Sequence, residues 1–338
     1  MVRVFFAVLG FACALTCAAK AAEPQFVPPP DLLAAAKKEG KVVLYTANFL
    51  DTEQAVLKRF AQRFGVQLEI VRAPTGSLIT RVKTEAAANK MIADVIDISD
   101  RVQARQMIDL FAPYAPPNAA DYPAIARTGD RLWPRSGNAW TIAYNSALVT
   151  DPPKSWADLA RPEFGKQHLG QTVVEAGGGP FNRAMFERKV LGEDYWVKQA
   201  ALKPQLYPSQ APMVDAMIRG EIGIAPLVTN LAIPLAAQGA PLKWFFPPEG
   251  VPVTVFSAGV AKGASHPNAA KLFLDWAMSR EGQALMVELG SFSAMNDAPV
   301  PEGVDPKSIK TWYPDDDEIA KIFASWTDDW NKAYHYRQ

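Results

Sequence analysis

"KVVLYTANFLDTEQAVLKRFAQRFGVQLEIVRAPTGSLITRVKTEAAANKMIADVIDIS", residues 41–99, decides the fold. "KVVLYTA" is a short, β-branched apolar run that reads as a strand. Asp51 and Gln54 form a capping pair after it, and Leu57, Phe60, Ala61 and Phe64 then recur at i, i+3, i+4 and i+7, one face of a helix. "VQLEIVRA" is a second strand, "SLITRVKTEAAANK" a second helix and "ADVIDIS" a third strand. Strands that alternate with helices predict a parallel sheet covered on both faces, an α/β fold.

The rhythm continues outward from this stretch. "RVQARQMIDL" reads as helix, "APYAPPNAADYP" as a proline-rich surface excursion and "AWTIAYNSALV" as a strand. A second α/β region follows, with "QTVVEA" and "EIGIAPLV" as strands and "GGGPFNRAMFERKVL" and "APMVDAMIRG" as helices. "VTVFSAGVAKGA" is a further strand, "HPNAAKLFLDWAMSREGQALMVEL" two helices, and the tail from Trp312 to Tyr336 a docked helix. The length, 338 residues, suits two domains.

Upstream, Arg3 precedes the apolar run "VFFAVLGFACALTCAA", and "AKA" ends at Ala21, so residues 1–21 read as a secretory signal cleaved near Ala21, with the mature chain starting near Ala22. The run falls short of the roughly 20 residues of a membrane span. Cys13 and Cys17 both lie inside it, so the mature chain is expected to have no disulfide, thiolate metal site or cysteine nucleophile. Removing Arg3 and Lys20 leaves 33 basic against 35 acidic residues, a net charge of −2, which gives no electrostatic support to a nucleic-acid partner.

Chemistry-bearing motifs are sparse. His168, His266 and His335 stand far apart without metal-ligand spacing, and the Gly177–Gly179 run fits neither a dinucleotide nor a nucleotide-triphosphate fingerprint. There is no G-x-S-x-G elbow, and no nucleophile beside a base, so the chain reads as a non-enzyme with no cofactor. What remains is a set of small polar turns after strands: Thr46 and Asn48; Thr75, Gly76 and Ser77; Ser99, Asp100 and Arg101; Gly177, Gly178 and Gly179; Thr229 and Asn230. In a parallel open sheet such carboxyl ends share one edge, where ligands bind, and helix starts there present free amide groups.

The stretches "GKVVLYTA", "GSLITRVKTEAAANKMIADVIDIS", "PKSWADLARPEFGK", "DAMIRGEIGIAP" and "AGVAKGASHPNAAKLFLDWAMSREGQ" resemble the periplasmic solute-binding proteins of ABC transporters, in the branch with ferric-ion-binding proteins. The resemblance implies a type II periplasmic-binding-protein fold: lobe 1 of residues 22–145 plus 258–338, lobe 2 of residues 146–257, and two crossing hinge strands. Tyr144 and Asn145 would lie at one crossing and Ser257 at the other, with Tyr144 counted among the ligand-binding residues. It further implies a monomer that closes on a small-molecule ligand in the periplasm and delivers it to an inner-membrane ABC permease. The family's iron ligands mostly do not carry over: the histidine position falls at Phe49 and the tyrosine pair at about Asn230 and Leu231, while the glutamate falls near Ser99 or Asp100, which keeps a carboxylate within one position. A ferric ion needs anionic oxygen ligands, so the expected ligand is a small polar, anionic organic solute such as a sugar phosphate, phosphonate or carboxylate, with Arg101, Arg81 or Arg72 as charge partners. A ferric-binding protein with a rearranged ligand set is the alternative.

Overall fold

The structure, a computed structural model, describes residues 24–165, 168–175, 178–301, 304–305, 307 and 309–337. The signal segment and Gly177 lie outside the described residues.

Ten strands are present among them: β1 (Lys41–Thr46), β2 (Gln67–Arg72), β3 (Val95–Ile98), β4 (Trp133–Asn145), β5 (Gly170–Thr172), β6 (Gln205–Tyr207), β7 (Ile224–Val228), β8 (Leu242–Phe245), β9 (Val251–Val260) and β10 (Thr311–Trp312). The main sheet runs β2-β1-β3-β9-β4-β7, with β8 on β4 and β10 on β9. As the 41–99 pattern predicts, β1 pairs in parallel with β2 and β3. Alternate β1 side chains serve opposite faces: Val42 and Leu44 pack with Phe60, Phe64 and Trp276, while Val43 and Tyr45 pack with Leu78, Ile79 and Val82. The helix Leu50–Phe64 starts without the expected side-chain cap; Phe49 precedes it and Asp51 sits in its first turn.

Two antiparallel strands join this first lobe to the second. Trp133–Ala139 of β4 pair with Val253–Ala258 of β9, and β9 continues through Ser257–Val260 into pairing with β3. Beyond Ala139, β4 pairs with β7 and β8 instead. The first crossing therefore lies near Ser136–Ala139, not at Tyr144 and Asn145: Tyr144 is opposite Ile224 and Lys243, at the far end of the strand. β4 begins earlier than its apolar pattern because Arg135 and Ser136, both buried, are strand residues.

The tail also departs from expectation. The helix Asp316–Ala333 forms, but its Trp330, with Tyr334 just beyond it, is buried with Val173, Phe181, Tyr195 and Trp196 of the second lobe. Its first turn reaches back to lobe 1, where Asp316 lies 3.1 Å from both Arg101 and Arg105. The helix thus spans the two lobes and does not belong to lobe 1 alone.

Candidate functional site

The carboxyl ends of β1, β2 and β3 face the second lobe across a cavity of about 1030 Å³. Ala47, Phe49 and Leu50 line it after β1, Arg72, Thr75 and Gly76 after β2, and Ser99, Asp100, Val102, Gln103 and Gln106 after β3. Its floor is the crossing strands, through Asn138 and Trp140 of β4 and Thr254 and Phe256 of β9. The i, i+2 spacing of each pair puts both residues on one face of the strand. Lobe 2 adds Glu175, Gly178, Gly179, Pro208, Ser209, Gln210 and Val228, and the tail helix adds Ile319, Ala320 and Phe323.

Three of the helices that start at this wall matter most for a ligand. Thr75–Ala87 follows Pro74, and Gln210–Ile218 follows Ser209; neither has a side-chain cap, so their first amide groups keep donor capacity. The third, Gly178–Leu191, starts where side chains would obstruct it. A Cβ at Gly178 would stand 3.1 Å from Ser99 Oγ, and one at Gly179 3.2 Å from Thr254 Oγ1 and 3.4 Å from the Trp140 ring. Glycine therefore lets this helix start close against both lobe 1 and the floor. Four buried polar atoms of cavity-lining side chains have no protein partner among the described residues: Asn138 Oδ1, Trp140 Nε1, Gln210 Nε2 and Thr254 Oγ1. Buried polar groups ordinarily find partners, so this floor has hydrogen-bonding capacity to offer a ligand.

The charges differ in how far they are committed. Arg72 lines the cavity, donates from Nε to Asn48 O at 3.3 Å, and has no carboxylate partner among the described residues. Asp100 is spent capping its own helix, accepting from Gln103 N at 2.9 Å and Gln103 Nε2 at 2.8 Å. Glu175 accepts from Asn331 Nδ2 at 3.0 Å and Arg337 Nη1 at 2.7 Å. Arg101 turns into a smaller adjoining cavity, where it donates to Arg127 O and Thr128 Oγ1 and pairs with Asp316; burial pulls its pKa down while Asp316 opposes the shift. Arg81 is held by Glu85 at 2.9 Å over the Tyr45 ring, away from the cavity.

Of the residues expected at the site, Thr75, Gly76, Asp100, Gly178 and Gly179 line the main cavity. Thr46 and Asn48 do not. They are buried, and they support a charge cluster at the ends of β1 and β3: Thr46 Oγ1 donates to Asp97 at 3.0 Å and Asn48 Nδ2 to Glu53 at 2.8 Å. Arg135, fully buried on β4, is gripped by both carboxylates, with Nε 3.1 Å from Asp97 and Nη1 3.3 Å from Glu53. Burial pushes the Glu53 carboxyl up against the pull of Arg135. Ser77 faces solvent on the first turn of its helix. Thr229 borders a different cavity of about 440 Å³ beside Ser291 and Phe292, Asn230 is buried and lines neither cavity, and Tyr144 is at the far end of β4.

Phe49, where the resemblance would have a metal-binding histidine, lines the cavity as an apolar wall. No tyrosine or histidine lines it among the described residues, and its two carboxylates are already bonded to protein donors.

Residues 42–290 match the model of the family described as bacterial extracellular solute-binding protein. The chain is 23% identical over 274 residues to an Fe(3+)-binding periplasmic protein of Serratia marcescens, covering 75% of this chain and 78% of that protein. Among solved structures it is similar to the periplasmic binding protein AfuA from Actinobacillus pleuropneumoniae with fructose-6-phosphate bound, at a TM-score of 0.71 and 22% identity over 86% of this chain and 98% of that one. It is likewise similar to iron-bound HitA from Pseudomonas aeruginosa, at a TM-score of 0.69 and 21% identity over 86% of this chain and 99% of that one. These likenesses show the type II periplasmic-binding-protein fold.

Proposed function

Because the chain belongs to the bacterial extracellular solute-binding proteins, the substrate-binding components of ABC importers, we propose that its interlobe cavity captures a small anionic organic solute: a sugar phosphate, phosphonate or carboxylate. The observation that carries this reading is the convergence on one cavity of helix starts without side-chain caps, at Leu50, Thr75 and Gln210, and of Arg72 without a carboxylate partner among the described residues. Each helix start favours a negative charge by roughly 0.3–1 kcal/mol, and a charge-assisted bond from a guanidinium adds to it. Size supports an organic molecule, since the cavity matches the upper range of small-molecule sites.

In this reading the mature chain starts near Ala22 and works in the periplasm as a monomer. The lobes close about β4 and β9, and an inner-membrane permease reads the closed form. No covalent step is involved. Ligand contacts come from Thr75, Gly76, Gly178, Gly179 and the floor, joined by Arg72.

The iron-binding Serratia marcescens relative favours the second reading, a ferric-binding protein with a rearranged ligand set. One screen separates the two. Ligand-free protein is titrated with sugar phosphates, phosphonates, carboxylates, ferric ion and ferric citrate while unfolding is followed. An organic anion at a hundredfold excess over its Kd stabilises the protein by about 2.7 kcal/mol, and Arg72→Gln weakens its binding. Stabilisation by ferric ion or ferric citrate, and no response to any organic anion, overturns the proposal.

A further inference from the structure

We propose that Ile319 and Phe323 of the tail helix are specificity-determining residues, forming a wall that selects anions carrying a flat apolar body, aromatic rings above all. This rests on the reading of the ligand as an organic anion.

The helix Asp316–Ala333 lies beyond the family-matched residues 42–290. Its two ends are anchored. At the far end Trp330 is fully buried and stacked on Tyr334 with ring centres 4.2 Å apart, Trp326 meets Trp196 edge-on at 5.8 Å, and Asp329 pairs with Arg188 at 2.9 Å. At the near end Asp316 binds Arg101 and Arg105. A docked helix is expected to turn its whole apolar stripe into the core. Here Ile319 and Phe323, one turn apart on that stripe, are half-buried and face the cavity, as Ala320 does. The Phe323 ring rests on Phe181 at 4.7 Å, so it is held as a fixed surface.

Trp140 and Phe256 line the same cavity but are almost wholly covered by protein, whereas Phe49 supplies further aromatic surface to it. A phosphate or carboxylate alone would leave all of it in water. A ligand with an aromatic body covers it, gaining burial and ring contacts that a purely polar ligand lacks.

The test uses matched pairs of probes: phenylphosphonate against methylphosphonate, and phenyl phosphate against inorganic phosphate. Calorimetry and tryptophan fluorescence measure binding to wild type, Phe323→Ala, Ile319→Ala and Phe323→Leu. Wild type is expected to bind each phenyl compound at least about tenfold more tightly than its small partner, a gap of about 1.4 kcal/mol. Phe323→Ala and Ile319→Ala should each shrink that ratio several-fold while leaving methylphosphonate and phosphate within about twofold. Phe323→Leu, which keeps apolar volume, should retain an intermediate ratio and guards against a loss of folding in the alanine variant. Equal affinity within each pair, or variants that weaken both members in proportion, overturns the selectivity and leaves the anion reading standing. Failure of all four probes while another organic anion binds overturns the selectivity alone; failure of every organic anion overturns both.

Discussion

Replacing Arg135 by alanine removes the one cation among two buried carboxylates. Arg135, Glu53 and Asp97 are all fully buried, and Thr46 and Asn48 are already engaged with the two acids. Breaking a buried pair by deleting one partner costs about 3–5 kcal/mol, because the remaining charge has neither water nor counter-charge. At roughly 2–4 °C per kcal/mol for a chain of this order, the melting temperature should fall by about 6–20 °C. The loss should depend on pH with a definite sign. Burial already raises the Glu53 pKa, and the pull of Arg135 opposes that rise, so the variant raises it further. A carboxyl whose folded pKa is raised binds more protons folded than unfolded; its stabilisation is full below the unfolded value and is lost as pH rises through the folded value. Arg135→Ala should therefore be least impaired near pH 5 and most impaired near pH 8, and adding Glu53→Gln should recover part of the loss and flatten the profile. Thermal unfolding followed by circular dichroism from pH 5 to 8 measures both effects. A melting temperature within about 2 °C of wild type, or a deficit that does not change with pH, would refute the argument.

Thr46→Val and Asn48→Ala each remove a bond to a buried carboxylate, so each should cost about 1–3 kcal/mol in urea unfolding while organic-anion affinity, measured by calorimetry, stays within about twofold. A variant that kept full stability but lost affinity would restore these residues to the site. Arg183 and Glu187 form a second fully buried pair, one turn apart on the helix Gly178–Leu191. Arg183→Met alone should cost about 3–5 kcal/mol by stranding Glu187, whereas Arg183→Met with Glu187→Leu should recover most of it; equal losses in the single and double variants would show the ion pair is not the cause.

The parallel core was legible in residues 41–99 because its physics is local: apolar strands, helical stripes and turns fall at short spacings. The start of β4 was not legible. Pro134, Ser136, Gly137 and Asn138 all favour loops, and what makes "WPRSGN" a strand is the Arg135 guanidinium, whose partners lie 38 and 82 positions away. The tail helix was readable as a helix, but its cavity face became visible only once Trp330 and Asp316 fixed the ends on different lobes.

The same distinction separates the turns that reach the cavity from those that do not. A small polar residue after a strand announces hydrogen-bonding capacity, and the chain does not say locally who uses it. Thr46 and Asn48 serve carboxylates on other elements, and Asp100 serves its own helix through Gln103. The "PTGS" turn differs in kind. Pro74 offers no side-chain acceptor, so the amides of Thr75, Gly76 and Ser77 cannot be satisfied by the residue before them. A helix start preceded by a residue unable to cap it must find its acceptor elsewhere, in water or in a ligand. In this chain that start, with Thr75 and Gly76 on the wall, opens onto the cavity that Arg72 also lines.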